Sequence, residues 1–209
     1  LMNNTYFITG IGTEVGKTMI SAIVTEALQA DYFKPVQAGD LEYSDTDKVR
    51  ALISNPKTKF YDNAFALKTP MSPHAAAAID KVDIKLNSIT RPKTENHLVI
   101  EGAGGLHVPL NAKDCIIDLI EKTDRILLVS RHYLGSINHT LLSVEALQNR
   151  GFSKIGLIFS GDEHPTTESI ILEKTQLPLI GRIQEEQEFS KEVVLKHAKP
   201  LKPKLDEFN

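Results

Sequence analysis

The sequence predicts an α/β fold, doubly wound around a mostly parallel sheet, and three observations carry that expectation. Continuous rather than alternating apolar runs recur along the chain, as in strands covered on both faces. Helical patterns separate those runs, the arrangement of a parallel sheet with crossover helices. The stretch Gly10-Ile-Gly-Thr-Glu-Val-Gly-Lys-Thr18 stands between the first run and the first helix, where a parallel sheet builds its anion sites. At 209 residues the chain suits one such domain with a sizeable core. Residues 1–209 are therefore read as a single domain, with Leu1 ahead of Met2 set aside as a cloning remnant.

Taken in order, Tyr6 to Thr9 is the first strand. Thr18 to Ala30 follows as a helix with Ile20, Ile23, Val24, Ala27 and Leu28 on one face. A short second strand is expected over Tyr32 to Val36. Leu41 to Lys93 is the least regular segment, expected to form helices and loops above the carboxyl ends of the strands. Leu98 to Ile100, Ile126 to Val129 and Ile155 to Phe159 continue the sheet, and Leu179 to Ile183 adds a last strand. Ser136 to Arg150 reads as a helix stopped by Gly151. The Lys- and Pro-rich stretch 196–209 is expected to be a peripheral, loosely held tail with a solvated surface.

Composition narrows the function. The 24 basic and 27 acidic residues give a net charge of −3, which offers no electrostatic footprint for nucleic acid. No run approaches the roughly 18 apolar residues of a membrane span. The chain enters a strand almost at once, so no signal peptide is expected. The single cysteine, Cys115, excludes an internal disulfide and suits a reducing, cytoplasmic setting. Its neighbours Ile116 and Ile117 make it a packed thiol rather than a nucleophile.

The glycine-rich stretch has the chemistry of a phosphate-binding loop. Its backbone N–H groups face an anion, Lys17 reaches the β- and γ-phosphates, and the Thr18 hydroxyl holds Mg²⁺. The common spacing G-x-x-x-x-G-K-[ST] is not met, because Ile11 stands five before Gly16 and the anchoring glycine is Gly10. Three further features converge on it. One strand ends in Glu101-Gly102-Ala103-Gly104-Gly105, a carboxylate beside glycines that let the backbone approach a nucleotide. Another ends in Lys34-Pro35, a cation at the same sheet edge. Asp45 and Asp47 lie shortly after it, either able to supply a second carboxylate.

Together these residues resemble dethiobiotin synthetases, ATP-dependent ligases of biotin synthesis. The resemblance runs from Tyr6 to about Gly181. It rests on GIGTEVGKT, FKPV, SPH at Ser72 to His74, VIEGAGG at Val99 to Gly105 and LGSINH at Leu134 to His139. It implies the three-layer architecture of P-loop NTPases and a homodimer. It also implies carboxylation of 7,8-diaminononanoate by CO₂ with ring closure, using ATP and Mg²⁺. Residue by residue, it assigns Thr13, Glu14, Val15, Gly16, Lys17, Thr18 and Met19 to the nucleotide phosphates, with Gly102, Ala103 and Gly104 beside them. Lys34 and Lys17 take the catalytic positions. Thr18, Glu101 and an aspartate would ligate Mg²⁺. Asp47 is preferred because Val49 and Leu52 then follow as one buried helix face, whereas Asp45 follows a serine as in some relatives. Gly135, Ser136 and Asn138 match the segment that reaches the partner subunit's substrate carboxylate, and His74 is read as a structural neighbour.

The chain departs from the family pattern in places. Ala38 stands where some relatives carry a hydroxyl beside the substrate. Ser160-Gly161 and Gln184-Glu185-Glu186 replace an Asn-Asp pair and a Pro-led segment that read adenine, and the second replacement is expected to be mobile. Two other readings compete. A partition-type regulatory ATPase would carry a second lysine near the start of the loop, and Thr9 to Thr13 has none. A related ATP-dependent amidoligase would add a glutaminase domain with a nucleophilic cysteine.

Overall fold

The chain is described over residues 3–208 by a computed structural model, so Leu1 lies outside the described residues. Its elements follow in the order β1 (Thr5–Gly10), α1 (Lys17–Leu28), β2 (Asp31–Phe33), β3 (Val36–Ala38), α2 (Asp45–Leu52), β4 (Phe60–Tyr61), β5 (Phe65–Leu67) and α3 (Pro73–Asp80). They continue with β6 (Leu98–Gly105), β7 (Arg125–Arg131), α4 (Ser136–Asn149), β8 (Ile155–Ser160), α5 (Pro165–Thr175), β9 (Leu179–Ile183) and α6 (Lys191–Glu207). Seven strands make one sheet in the order β4-β2-β6-β1-β7-β8-β9. Its neighbouring strands pair in parallel.

Strand β1 sits at the centre, and its side chains alternate between two cores. Tyr6 and Ile8 join Ile20, Ile23, Val24 and Leu157 on one face. Phe7 joins Phe33, Ile100, Leu110 and Ile116 on the other. Helices and loops thus cover both faces, as the continuous apolar runs required. All strands share one carboxyl edge, and the loops that leave it carry the functional residues.

Three expectations change. The second strand stops at Phe33 because Pro35 has no N–H to donate to a ladder. Val36–Ala38 then pairs with Phe65–Leu67 in a separate two-stranded parallel sheet. The 41–93 segment therefore contains strands as well as helices, and β4 extends the main sheet at its edge. The 196–209 stretch is not a loose tail. It lies largely within α6, whose Val194, Ala198, Leu201 and Leu205 are buried in the core that α1 shares. Their spacing makes one apolar stripe beneath the lysines. Two anchors close the helix: Tyr6 donates its hydroxyl to the Leu205 carbonyl at 3.1 Å, and Arg125 Nε donates to the Phe208 carbonyl at 2.7 Å. Among the described residues no helix is long and apolar enough to cross a membrane.

Candidate active site

The loop between β1 and α1 explains its own spacing. A side chain at position 10 would put Cβ within 2.5 Å of Val15 Cγ2, so Gly10 is the glycine the longer loop needs. Val15 folds back beneath it into the core. Gly16 adopts φ 92° and turns the chain into α1, with Ser160 packed against its Cα. Lys17 crosses the loop and donates to the Gly12 carbonyl at 2.7 Å. Burial pulls its ammonium down to about 8; Glu101 and Asp45 oppose that shift, and Lys34 reinforces it.

Beside the loop lies a compact ionic cluster. Glu101 leaves β6 with 1% of its surface exposed and Lys34 leaves β2 with 5% exposed. Thr18 Oγ1 and Lys34 Nζ both donate to Glu101 Oε1, each at 2.9 Å, while the Tyr32 hydroxyl donates to Oε2 at 2.8 Å. Lys34 also donates to Asp45. Burial disfavours the Lys34 charge, but Glu101 and Asp45 outweigh it and hold the ammonium above its ordinary range. Burial likewise opposes the Asp45 charge, yet Lys34 and Lys48 keep that carboxyl below its usual range.

Asp45 rather than Asp47 is the aspartate in this cluster. Asp47 completes a capping box at the start of α2, accepting from Ser44 N at 3.0 Å and Ser44 Oγ at 2.6 Å. Its other oxygen pairs with Arg50 at 2.7 Å, away from the cleft. The preference for Asp47 is thereby corrected, since a helix cap already uses its oxygens.

A cleft of about 790 Å³ runs over the cluster. Thr13, Glu14, Gly16, Lys17, Thr18, Met19, Lys34, Ala38, Glu101, Ala103 and Gly104 all line it. Of the other expected residues, Gly102 is packed between Phe7 and Ile116, where a Cβ would lie 3.2 Å from each. Gly135, Ser136 and Asn138 do not line the cleft. They open α4, with Ser136 buried, Gly135 and Asn138 exposed, and Leu134 beside them wholly exposed. His74 pairs with Ser72 Oγ at 3.1 Å and stays outside the cleft. Tyr32, Gln37, Lys48 and Arg131 were not anticipated. Tyr32 lies two residues before Lys34 on the same face of the chain, a position that in sequence reads only as core.

The residues after β8 and β9 differ from expectation in one respect. Glu185 pairs with the cleft-lining Arg131 at 2.7 Å. Glu186 pairs with Lys196 at 2.9 Å and His197 at 2.7 Å. Side-chain contacts with β7 and α6 thus engage a segment expected to be mobile.

The oxygens of Thr18, Glu101 and Asp45 suit a hard cation, and their number suits Mg²⁺. No group of three His, Cys, Asp or Glu that could hold an ion exists among the described residues. A cation here must complete its shell with water and phosphate, as Mg²⁺ does in nucleotide sites.

The fold is similar to a putative plasmid partition protein from Borrelia burgdorferi solved with AMPPNP, at a TM-score of 0.59 and 12% identity over 99% of both chains. It is also similar to a ParA family ATPase from Chlorobium tepidum, at a TM-score of 0.52 and 15% identity over 99% of this chain and 96% of that one. At those identities the likeness concerns the fold alone. A family model described as AAA domain matches residues 4–193. Among curated proteins, the ATP-dependent dethiobiotin synthetase of Christiangramia forsetii is 62% identical over 206 residues, covering 99% of this chain and all of that one. The synthetase of Cytophaga hutchinsonii is 47% identical over 198 residues, covering 94% and 96% of the two chains. Identity of that order along nearly the whole chain places this protein: it belongs to the ATP-dependent dethiobiotin synthetase family.

Proposed function

We propose that the cleft performs the ring-closing carboxylation of 7,8-diaminononanoate with CO₂ and ATP, giving dethiobiotin, ADP and phosphate. The observation that supports this most is Lys34, a buried ammonium held between two carboxylates across from the phosphate loop. In the reaction one substrate amine adds to CO₂ and loses a proton, forming a carbamate. A carbamate oxygen attacks the γ-phosphorus while the bond to ADP breaks, giving a carbamic-phosphoric anhydride. The second amine attacks the carbamoyl carbon, expels phosphate and loses its proton as the urea ring closes. Negative charge gathers at one place until closure, so the chain's task is positioning and neutralisation rather than covalent catalysis.

Lys17 would hold the β- and γ-phosphates from the loop side. Lys34 would meet the carbamate and the γ-phosphate from the sheet edge. Thr18, Glu101 and Asp45 would hold Mg²⁺, which supplies charge compensation on the phosphates when bound. Ala38 lines the cleft at the position where some relatives place a hydroxyl, so substrate contacts there would fall to the backbone. Gly135, Ser136 and Asn138 lie outside this subunit's own cleft, beside the exposed Leu134. That position supports a homodimer in which they reach the substrate of the other subunit.

The test is phosphate release from ATP with and without diaminononanoate and bicarbonate, with dethiobiotin identified by mass spectrometry. Release that depends on both additions is expected. A partition-type ATPase would ignore them, and unchanged release would overturn the reading.

A further inference from the structure

The catalytic cluster includes one residue that neither the phosphate loop nor the substrate chemistry calls for. Tyr32 lies in β2, beside β6, with Tyr32 opposite Val99 and Phe33 opposite Ile100. Lys34 and Glu101 are therefore the next pair beyond the ladder, and Tyr32 shares a face with Lys34. Its ring is fully buried and leans on Phe60 with centroids 5.9 Å apart. Its hydroxyl donates to Glu101 Oε2 at 2.8 Å. The other oxygen, Oε1, takes both Thr18 and Lys34. The two oxygens of one carboxylate thus have separate tasks, one turned to the site and one held in the core.

We propose that Tyr32 is a positioning residue that locks the Glu101 carboxylate so that a single oxygen is offered to the metal of a metal–nucleotide complex. Mg²⁺ requires near-octahedral geometry and prefers one oxygen from each carboxylate, so a fixed one-oxygen ligand favours it over chelation through both. A partner of a metal ligand that fixes its rotamer is typically worth about 10- to 100-fold in metal affinity. The phenol suits the task because its buried hydroxyl donates to Oε2 while Thr18 and Lys34 take Oε1. A residue acting only as core filler would need the ring and not the hydroxyl.

This inference rests on the nucleotide reading of the cleft but not on the identity of the amine substrate, and Tyr32→Phe separates the two. The substitution keeps the ring and removes only the donor. ADP binding is measured by calorimetry in Mg²⁺ and in EDTA, for the parent and for Tyr32→Phe. The expected result is a loss of about tenfold or more with Mg²⁺ and less than about twofold in EDTA. Equal losses in both buffers, or none in Mg²⁺, would overturn the proposal. A double-mutant cycle adds a readout that a structural role would not move. Tyr32→Phe placed in a Glu101→Gln background should change the Mg²⁺ dependence no further, and an undiminished effect there would refute the coupling. If the parent binds Mg·ADP yet makes no dethiobiotin, the proposed reaction fails while this test still stands.

Discussion

Replacing Lys34 by leucine removes the cation from a cluster that holds two carboxylates. Glu101 has no exposed side-chain surface and lies 2.9 Å from the ammonium, whereas the Asp45 side chain is 19% exposed and keeps Lys48 at 3.2 Å. The cost therefore falls mainly on Glu101, which keeps only its hydroxyl donors Thr18 and Tyr32. Breaking a buried pair by removing one member typically costs about 3–5 kcal/mol. The two remaining donors place the expected loss at the lower end, about 3 kcal/mol. For a chain of this size that lowers Tm by about 6–12 °C. Turnover should fall further, by roughly a few hundredfold, because a charge contact on the transferring phosphoryl is worth about 3–4 kcal/mol. Nucleotide affinity should change by less than about tenfold, since the loop amides and Lys17 remain. Adding MgCl₂ without nucleotide should raise the Tm of Lys34→Leu more than that of the parent, because the dication takes over the lost neutralisation. Scanning calorimetry, nucleotide titration and phosphate release measure the three quantities. A Tm within about 2 °C of the parent would show that Lys34 does not neutralise Glu101. Equal losses in affinity and turnover would reduce it to a nucleotide anchor.

Other expectations follow from the same geometry. Mixed dimers of Lys34→Leu and Asn138→Ala subunits should recover part of the activity each lacks alone, because one site per heterodimer would then join two unmutated halves; no recovery in verified heterodimers would place each site within one subunit. Nucleotide selectivity should be weak, with GTP or CTP supporting kcat/KM within about tenfold of ATP. Ser160 is packed under Gly16, Gly161 has no side chain and Glu185 is tied to Arg131, so about two net hydrogen bonds to a base are lost, roughly 1–3 kcal/mol. Steady-state kinetics with the four nucleotides checks this, and an ATP preference above about a thousandfold would contradict it. Leu205→Ala, at a position with 0% exposure, should cost about 2–5 kcal/mol in urea unfolding. A cost below about 1 kcal/mol would show that α6 does not complete the core.

What was legible in the sequence depended on how far each signal extended along the chain. The central strands were readable because parallel strands are apolar throughout, and Leu179–Ile183 appears with the expected bounds. The loop, Lys34 and Glu101 were readable because strand ends and glycines mark them. Strands β3, β4 and β5 span two or three residues each, too few for any periodicity to register. The lysines and the prolines at 200 and 203 hid the stripe of α6, although its spacing of four, three and four was there to be seen. The choice between Asp45 and Asp47 turned on a local pattern. Ser44-Asp45-Thr46-Asp47 has the serine and acid of a capping box, and that pattern commits the second aspartate to the helix end. Tyr32 could not be assigned from sequence, because a tyrosine in a buried strand reads as core until its hydroxyl's partner is known.

The two carbonyl anchors of α6 join residues as far apart as 199 positions, from Tyr6 to Leu205. The helix that bears Lys17 and Thr18 is buried along nearly its whole length, and α6 supplies one of the walls that bury it. In order of synthesis α1 therefore precedes α6 by most of the described residues and is among the last of their helices to be enclosed. Contacts so distant in sequence must wait for loop closure over nearly the entire chain. If the loop ahead of α1 holds phosphate as proposed, it follows that the site is completed only at the end of folding. Nucleotide added during refolding should therefore slow unfolding of the finished molecule rather than hasten its assembly.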